Sequence, residues 1–216
     1  MQTTGAIAVN APLSSAGGLS LNSATTALNA NLSATDSPIT INSNTTLGND
    51  ITIAGGTLSF NGTLDGTQNL TLEAGTGEIN FSDAVGSNAP LANLNINSAN
   101  RVTFTRSLTA TGNVTINNSD LLTIPSNAPI DLGGSWSQTG SGAVSIGSNL
   151  ATNGGIQFEG FVTLTDNVSF LPESGAIAFN SGLDAGDNPL TLTVPSNRFW
   201  RTSHGNQYPT PSTRWH

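Results

Sequence analysis

The sequence predicts an all-β fold, a parallel β-solenoid with coils of roughly 20 residues, and three observations predict it. Short apolar–polar alternations run along most of the chain, one Phe-containing phrase returns at a fixed spacing, and a long segment repeats itself downstream. The alternating runs include Leu58-Ser59-Phe60, Leu70-Thr71-Leu72, Ile79-Asn80-Phe81, Leu94-Asn95-Ile96, Val102-Thr103-Phe104, Val114-Thr115-Ile116 and Val144-Ser145-Ile146. Period-two alternation sends one set of side chains to one face, so each run reads as a half-buried strand. Turn formers separate the runs: Ala54-Gly55-Gly56, Asp65-Gly66, Gly133-Gly134 and Asn153-Gly154-Gly155. No apolar set keeps helical spacing for two clean turns, so no helix is expected.

The phrase Gly-x-[Ile/Leu]-x-Phe stands at 56–60, 77–81 and 175–179, with a near-copy at 154–158. Phe81 follows Phe60 at the same interval at which Phe179 follows Phe158, and Ile41 precedes Phe60 by nearly as much. A coil of that length holds three short strands and tight corners, and stacked coils align their inward residues as aliphatic and Phe ladders. A propeller blade needs about 40–50 residues. A β-sandwich requires no phrase recurring in register and stays as the alternative. Roughly ten coils, with strands about 4.8 Å apart, predict a rod about 45–50 Å long.

The long repeat lays residues 36–53 over 153–170 at a constant offset of 117, with Ile39, Ile41, Leu47, Ile51 and Ile53 on Ile156, Phe158, Leu164, Val168 and Phe170. At an offset of 119, Gly56, Phe60, Asn61, Leu64 and Asp65 meet Gly175, Phe179, Asn180, Leu183 and Asp184. One more inserted residue brings Leu70-Thr71-Leu72 onto Leu190-Thr191-Leu192. Apolar positions persist while the polar ones drift, as in a stacked structural module. Residues 1–196 therefore read as one repetitive segment with a long period of about 117–119 residues, its array truncated.

Charged residues are 8% of the chain, against about a quarter in ordinary domains. Lysine is absent, and Asn, Thr, Ser and Gly fill the polar positions. Disorder goes with few β-branched residues and high net charge, whereas here the aliphatic alternation persists almost to residue 194. A solenoid is held by its continuous core, so the lack of cysteine costs it nothing; that lack also fits surface proteins that cross an outer membrane unfolded. Residues 1–20 have neither a basic region nor a continuous apolar core, so no signal peptide is visible, and no apolar run is long enough for a membrane span. An export signal is expected outside this chain.

Composition changes after Val194. Residues 197–216 hold three of the five arginines, both histidines, the single tyrosine, Trp200 and Trp215, and no carboxylate, for a formal charge of +3. The preceding body sets two arginines against thirteen carboxylates, giving −11. This non-repetitive basic-aromatic tail reads as an out-of-frame or truncated end of a longer reading frame, expected to be disordered; a binding tail and a cap are the alternatives.

No catalytic, cofactor-binding or metal residue is assigned, and no cofactor is expected. Glycoside hydrolysis needs two carboxylates facing across the bond, but the acidic residues are scattered singly, and the body's cations are Arg101 and Arg106. Asp65 and Asp184 occupy equivalent repeat positions beside glycines and read as turn residues. His204 and His216 lack a Cys or a nearby carboxylate for metal binding. Neither the calcium-binding nonapeptide nor an EF-hand loop occurs. Thr-x-Thr pairs begin at Thr103, Thr109, Thr163 and Thr191, at intervals too irregular for an ice-binding face with one pair per coil. Asn-x-Ser/Thr sequons, among them Asn61, Asn69 and Asn113, follow from the composition. The acidic body disfavours nucleic acid.

The stretches GTLSFNGTLDGTQNLTLEAGTGEINFSDAVGSNAPLANLNINSANRVTF and GGIQFEGFVTLTDNVSFLPESGAIAFNSGLDAGDNPLTLT resemble the repeat regions of filamentous-haemagglutinin-like and autotransporter-type bacterial adhesins. The resemblance spans about residues 5–194. It implies a right-handed parallel β-helix, export through an outer-membrane secretion transporter to the cell surface, and a role in attachment or biofilm. No functional residue carries over from it. The expected function is a non-enzymatic adhesive stalk segment, with surface glycans or sister rods as its contacts. The alternative is part of a carbohydrate-active β-helix, a polysaccharide lyase or hydrolase, whose catalytic coils lie outside this chain.

Overall fold

The structure, a computed structural model, describes residues 5–195; the expectation for the basic-aromatic tail lies outside them. The described residues form 27 β-strands and no helix, and every strand pairing is parallel. Each strand pairs with the strands one coil before and one coil after it, not with its chain neighbours, so the chain winds as a β-solenoid. Nine complete coils are followed by the first strand of a tenth, Leu190–Leu192. The all-parallel pairing removes the sandwich alternative, which requires antiparallel sheets.

Each coil places one strand on each of three faces. In the second coil these are Thr25–Leu28, Leu32–Ala34 and Ile39–Ile41. The second and third faces are continuous nine-stranded sheets. The first is divided into four-stranded and five-stranded sheets, because the fifth coil crosses it as an irregular segment, residues 83–92. Single bridges through Val85 and Leu91 carry that face across the gap.

The alternation places the core. Inward positions are aliphatic or aromatic, and one buried cluster runs unbroken from Val9 to Phe170. On the third face Phe60, Phe81 and Phe104 stand in register and stack, with centroids 5.2 and 4.8 Å apart. Near the other end Phe158 stacks on Phe179 at 5.6 Å, while Phe170 meets both edge-on. The interval at which Phe recurs in the sequence is thus the coil itself, since Ile41, Phe60 and Phe81 are successive partners, as are Phe158 and Phe179.

The longer repeat does not correspond to whole coils. Ile39–Ile41 lies on the third face, but its sequence counterpart Ile156–Phe158 lies on the second. Leu47 on the first face matches Leu164 on the third, and Ile51 and Ile53 on the second match Val168 and Phe170 on the first. Every aligned strand is displaced by the same one face. The alternating strand is therefore the unit of resemblance, and the three faces accept it equally.

Corners are closed by side chains that take over the backbone ladder. Asn42 donates to Asn22 at 2.6 Å, Asn61 donates to Asn42 at 2.5 Å, and Ser82 Oγ donates to Asn61 at 3.2 Å. A second stack begins where both Asp50 carboxylate oxygens accept from Asn69, and runs through Asn93 and Asn113 to the Ser135 amide. Sequon residues Asn61, Asn69 and Asn113 are thus rungs in these ladders. Glycine is required where corners nest: a Cβ on Gly77 would collide with the Gly56 carbonyl oxygen.

Candidate functional site

The outward positions of the third face form one aligned polar column. Ser20, Thr40, Ser59, Asn80, Thr103, Thr123, Ser145 and Thr163 are successive partners across eight coils. The second face carries a matching column of Thr52, Thr71, Asn95, Thr115, Ser137 and Gln157, ending at Ala178. Neither column contains a charge up to these ends, and parallel pairing sets neighbouring members about 4.8 Å apart. The irregular Thr-x-Thr intervals conceal this order, because each coil contributes one polar residue of varying identity and only Thr103 and Thr163 of the two columns begin a Thr-x-Thr pair.

Two depressions interrupt the rod surface. A groove of about 660 Å³ runs along the corner between the second and third faces in coils two to five. It owes its depth to the nested glycines Gly55, Gly56, Gly75 and Gly77, and Asp36 and Glu73 are its carboxylates. Asp36 holds a left-handed backbone, φ 47°, which a non-glycine residue rarely adopts. Glu73 accepts from Asn97 at 3.1 Å, and Ser98 Oγ accepts from the Gly75 amide at 3.1 Å. A smaller depression of about 250 Å³ lies on the second face in coils seven to nine, lined by Ser135, Ser137, Gln157, Ala176 and Ala178 among others.

Asp65 and Asp184, equivalent in the sequence repeat, have different surroundings. Asp184 is exposed on the third face and caps a turn by accepting from the Gly186 amide at 2.9 Å. Asp65 ends a first-face strand and is buried, 7% exposed. It accepts from the Asn88 amide at 2.8 Å, the Asn88 side chain at 3.0 Å and the Ala89 amide at 3.3 Å, pinning segment 83–92 to the rod. Burial pushes its carboxyl pKa up, but the Asn88, Ala89 and Thr63 donors outweigh burial and hold it below the usual value of 3.8. Asp65 is an anchor for a loop rather than the turn residue read from sequence.

A buried polar knot closes the same corner as the groove farther along the rod, between the second and third faces in coils six to eight. Gln138 Nε2 donates to Asn118 Oδ1 and to the Gly140 and Gly142 carbonyls, while its Oε1 accepts from the Glu159 and Gly160 amides. Among the described residues Arg101–Asp120 is the single ion pair, 2.6 Å long and half exposed; such pairs contribute little. No cluster of three or more metal-ligating side chains occurs among the described residues. Among the same residues no helix is long and apolar enough to cross a membrane.

No family model, curated protein or solved structure matches this chain.

Proposed function

We propose that this chain is a non-enzymatic structural and adhesive segment of a secreted bacterial surface protein, a stalk that holds and presents binding surfaces. The observation that carries this reading is the unbroken stacking of nine coils on one core, with polar columns kept in register along the outside. A continuous parallel ladder resists bending and extends by adding coils, and its outward hydroxyl and amide groups repeat at short intervals, suiting weak multivalent contact with glycans or sister rods. The repeat phrases that resemble adhesin arrays support the same reading, including passage through an outer-membrane transporter to the cell surface.

The test is to display the chain on a bacterial surface beside an unrelated folded domain of equal length. Increased attachment to glycan-coated surfaces, or increased autoaggregation, is expected for the solenoid. Equal attachment, or turnover of acidic polysaccharide by the purified chain, would overturn the proposal.

A further inference from the structure

We infer that the third-face surface around Phe161, at the corner carrying Glu159 to Phe161, binds an uncharged sugar. The inference rests on the adhesive reading and names a ligand class and a place for it. Phe161 is the one exposed aromatic side chain among the described residues, at 45%. The other described Phe rings and Trp136 are in the core or packed against it. Phe161 is also the exception to the corner pattern, because it takes an outward position at the edge of the third face, just before Val162 turns inward.

Its neighbours keep the ring open. One coil earlier the same position is Ala143, and one coil later it is Gly182, where an added Cβ would lie 3.2 Å from the ring. One edge of the ring therefore leans over Gly182, and the small residues on both sides leave the rest of it exposed. Beside it runs the hydroxyl column through Ser145 and Thr163. Round the corner, Glu159 accepts from Gln157 at 2.5 Å and from Asn180 at 2.7 Å, and the Ser181 hydroxyl donates to its carbonyl. Gln157 also lines the depression of about 250 Å³. Phe161 does not line that depression, which opens on a different face, so a single sugar ring stacks on Phe161 against the third-face hydroxyls instead of filling it.

This combination fits a pyranose. The C–H face of the ring is apolar and weakly positive, complementing the negative face of an aromatic, and its hydroxyls need donors and acceptors close by. Charge selects within the class: the body carries −11, which repels uronates and sulfated sugars and leaves uncharged hexoses and N-acetylhexosamines.

The experiment titrates the full chain with β-linked glucose oligomers, β-linked N-acetylglucosamine oligomers and, for comparison, polygalacturonate, following ligand signals by saturation-transfer NMR. Binding of an uncharged oligomer that weakens about tenfold in Phe161→Ala, returns in Phe161→Trp and is absent for polygalacturonate supports the site. Binding unchanged in Phe161→Ala, or no binding of either uncharged oligomer, overturns it. Small-angle scattering on the same samples tests the rod independently. Failure to bind sugar with a rod-like profile sinks this inference alone, whereas a compact profile sinks the stalk reading.

Discussion

Phe81 stacks on Phe104 with centroids 4.8 Å apart and planes 6° from parallel, a contact between two successive coils. Phe60 continues the stack on the other side of Phe81, so the middle ring is covered on both faces. Phe81→Ala opens a cavity in a core too narrow to refill it and is expected to destabilise by about 3–5 kcal/mol. Phe81→Leu conserves most of the volume and should cost less than about 1.5 kcal/mol. Denaturant midpoints for the two variants check the difference.

The nested corners yield a second prediction. Gly77→Ala drives a methyl group into the Gly56 carbonyl and is expected to cost about 1–3 kcal/mol through displaced backbone. Gly75→Ala meets no atom within 4 Å, but its φ of 59° is left-handed, so it should cost about 1 kcal/mol from conformation alone. Gly17→Ala, with open space and no such φ, is the neutral comparison in a thermal melt.

Asp65 makes one segment acid-sensitive. Its folded-state pKa is depressed, so the stabilisation is fully present above the unfolded value, about 3.9, and fades as pH falls through the lower folded value. Protection of the Asn88 and Ala89 amides from hydrogen exchange, taken relative to their intrinsic rates at each pH, should fall below about pH 4, ahead of the rest of the rod. Asp65→Ala should cost about 2 kcal/mol and open the same amides at neutral pH. Protection that stays unchanged across that window would refute the anchor.

Two buried polar side chains predict opposite outcomes. Trp136 Nε1 is the one buried side-chain polar atom without a partner among the described residues. Trp136→Phe removes that unsatisfied donor while leaving a small void, and should shift stability by no more than about 1 kcal/mol. Gln138 satisfies five groups at once. Gln138→Leu strands them and should cost about 3 kcal/mol or more. Urea denaturation of both variants separates the cases.

The strands and the coil length were legible because a period of two and a recurring Phe follow directly from pleating and stacking. The alternating runs from Leu58 to Ile146 all lie in strands. Segment 83–92 was not legible: it occupies the place of a strand, and only long-range contacts hold it, the pairing of Asp65 with Asn88 and the bridges through buried Val85 and Leu91. Asn118 and Gln138 look outward-facing by polarity, yet both are fully buried, because they stand at inward positions of their strands and meet the corner's backbone groups, which need partners. The polar columns leave no motif in the sequence, because Ser, Thr and Asn are interchangeable there and identity-based patterns miss such a set. Phe161 had a signal, a large aromatic at the place where a turn former is expected, but only the fold shows that its ring faces outward.

The one-face displacement between the two halves of the long repeat has a consequence for display. A related stretch of sequence is presented twice, at two heights and on two azimuths around the axis. Inserting or deleting a single strand with its corner would therefore act as a rotary index, turning everything downstream by about a third of a revolution while the interior continues unchanged. Such a rod can re-aim its exterior without being redesigned within.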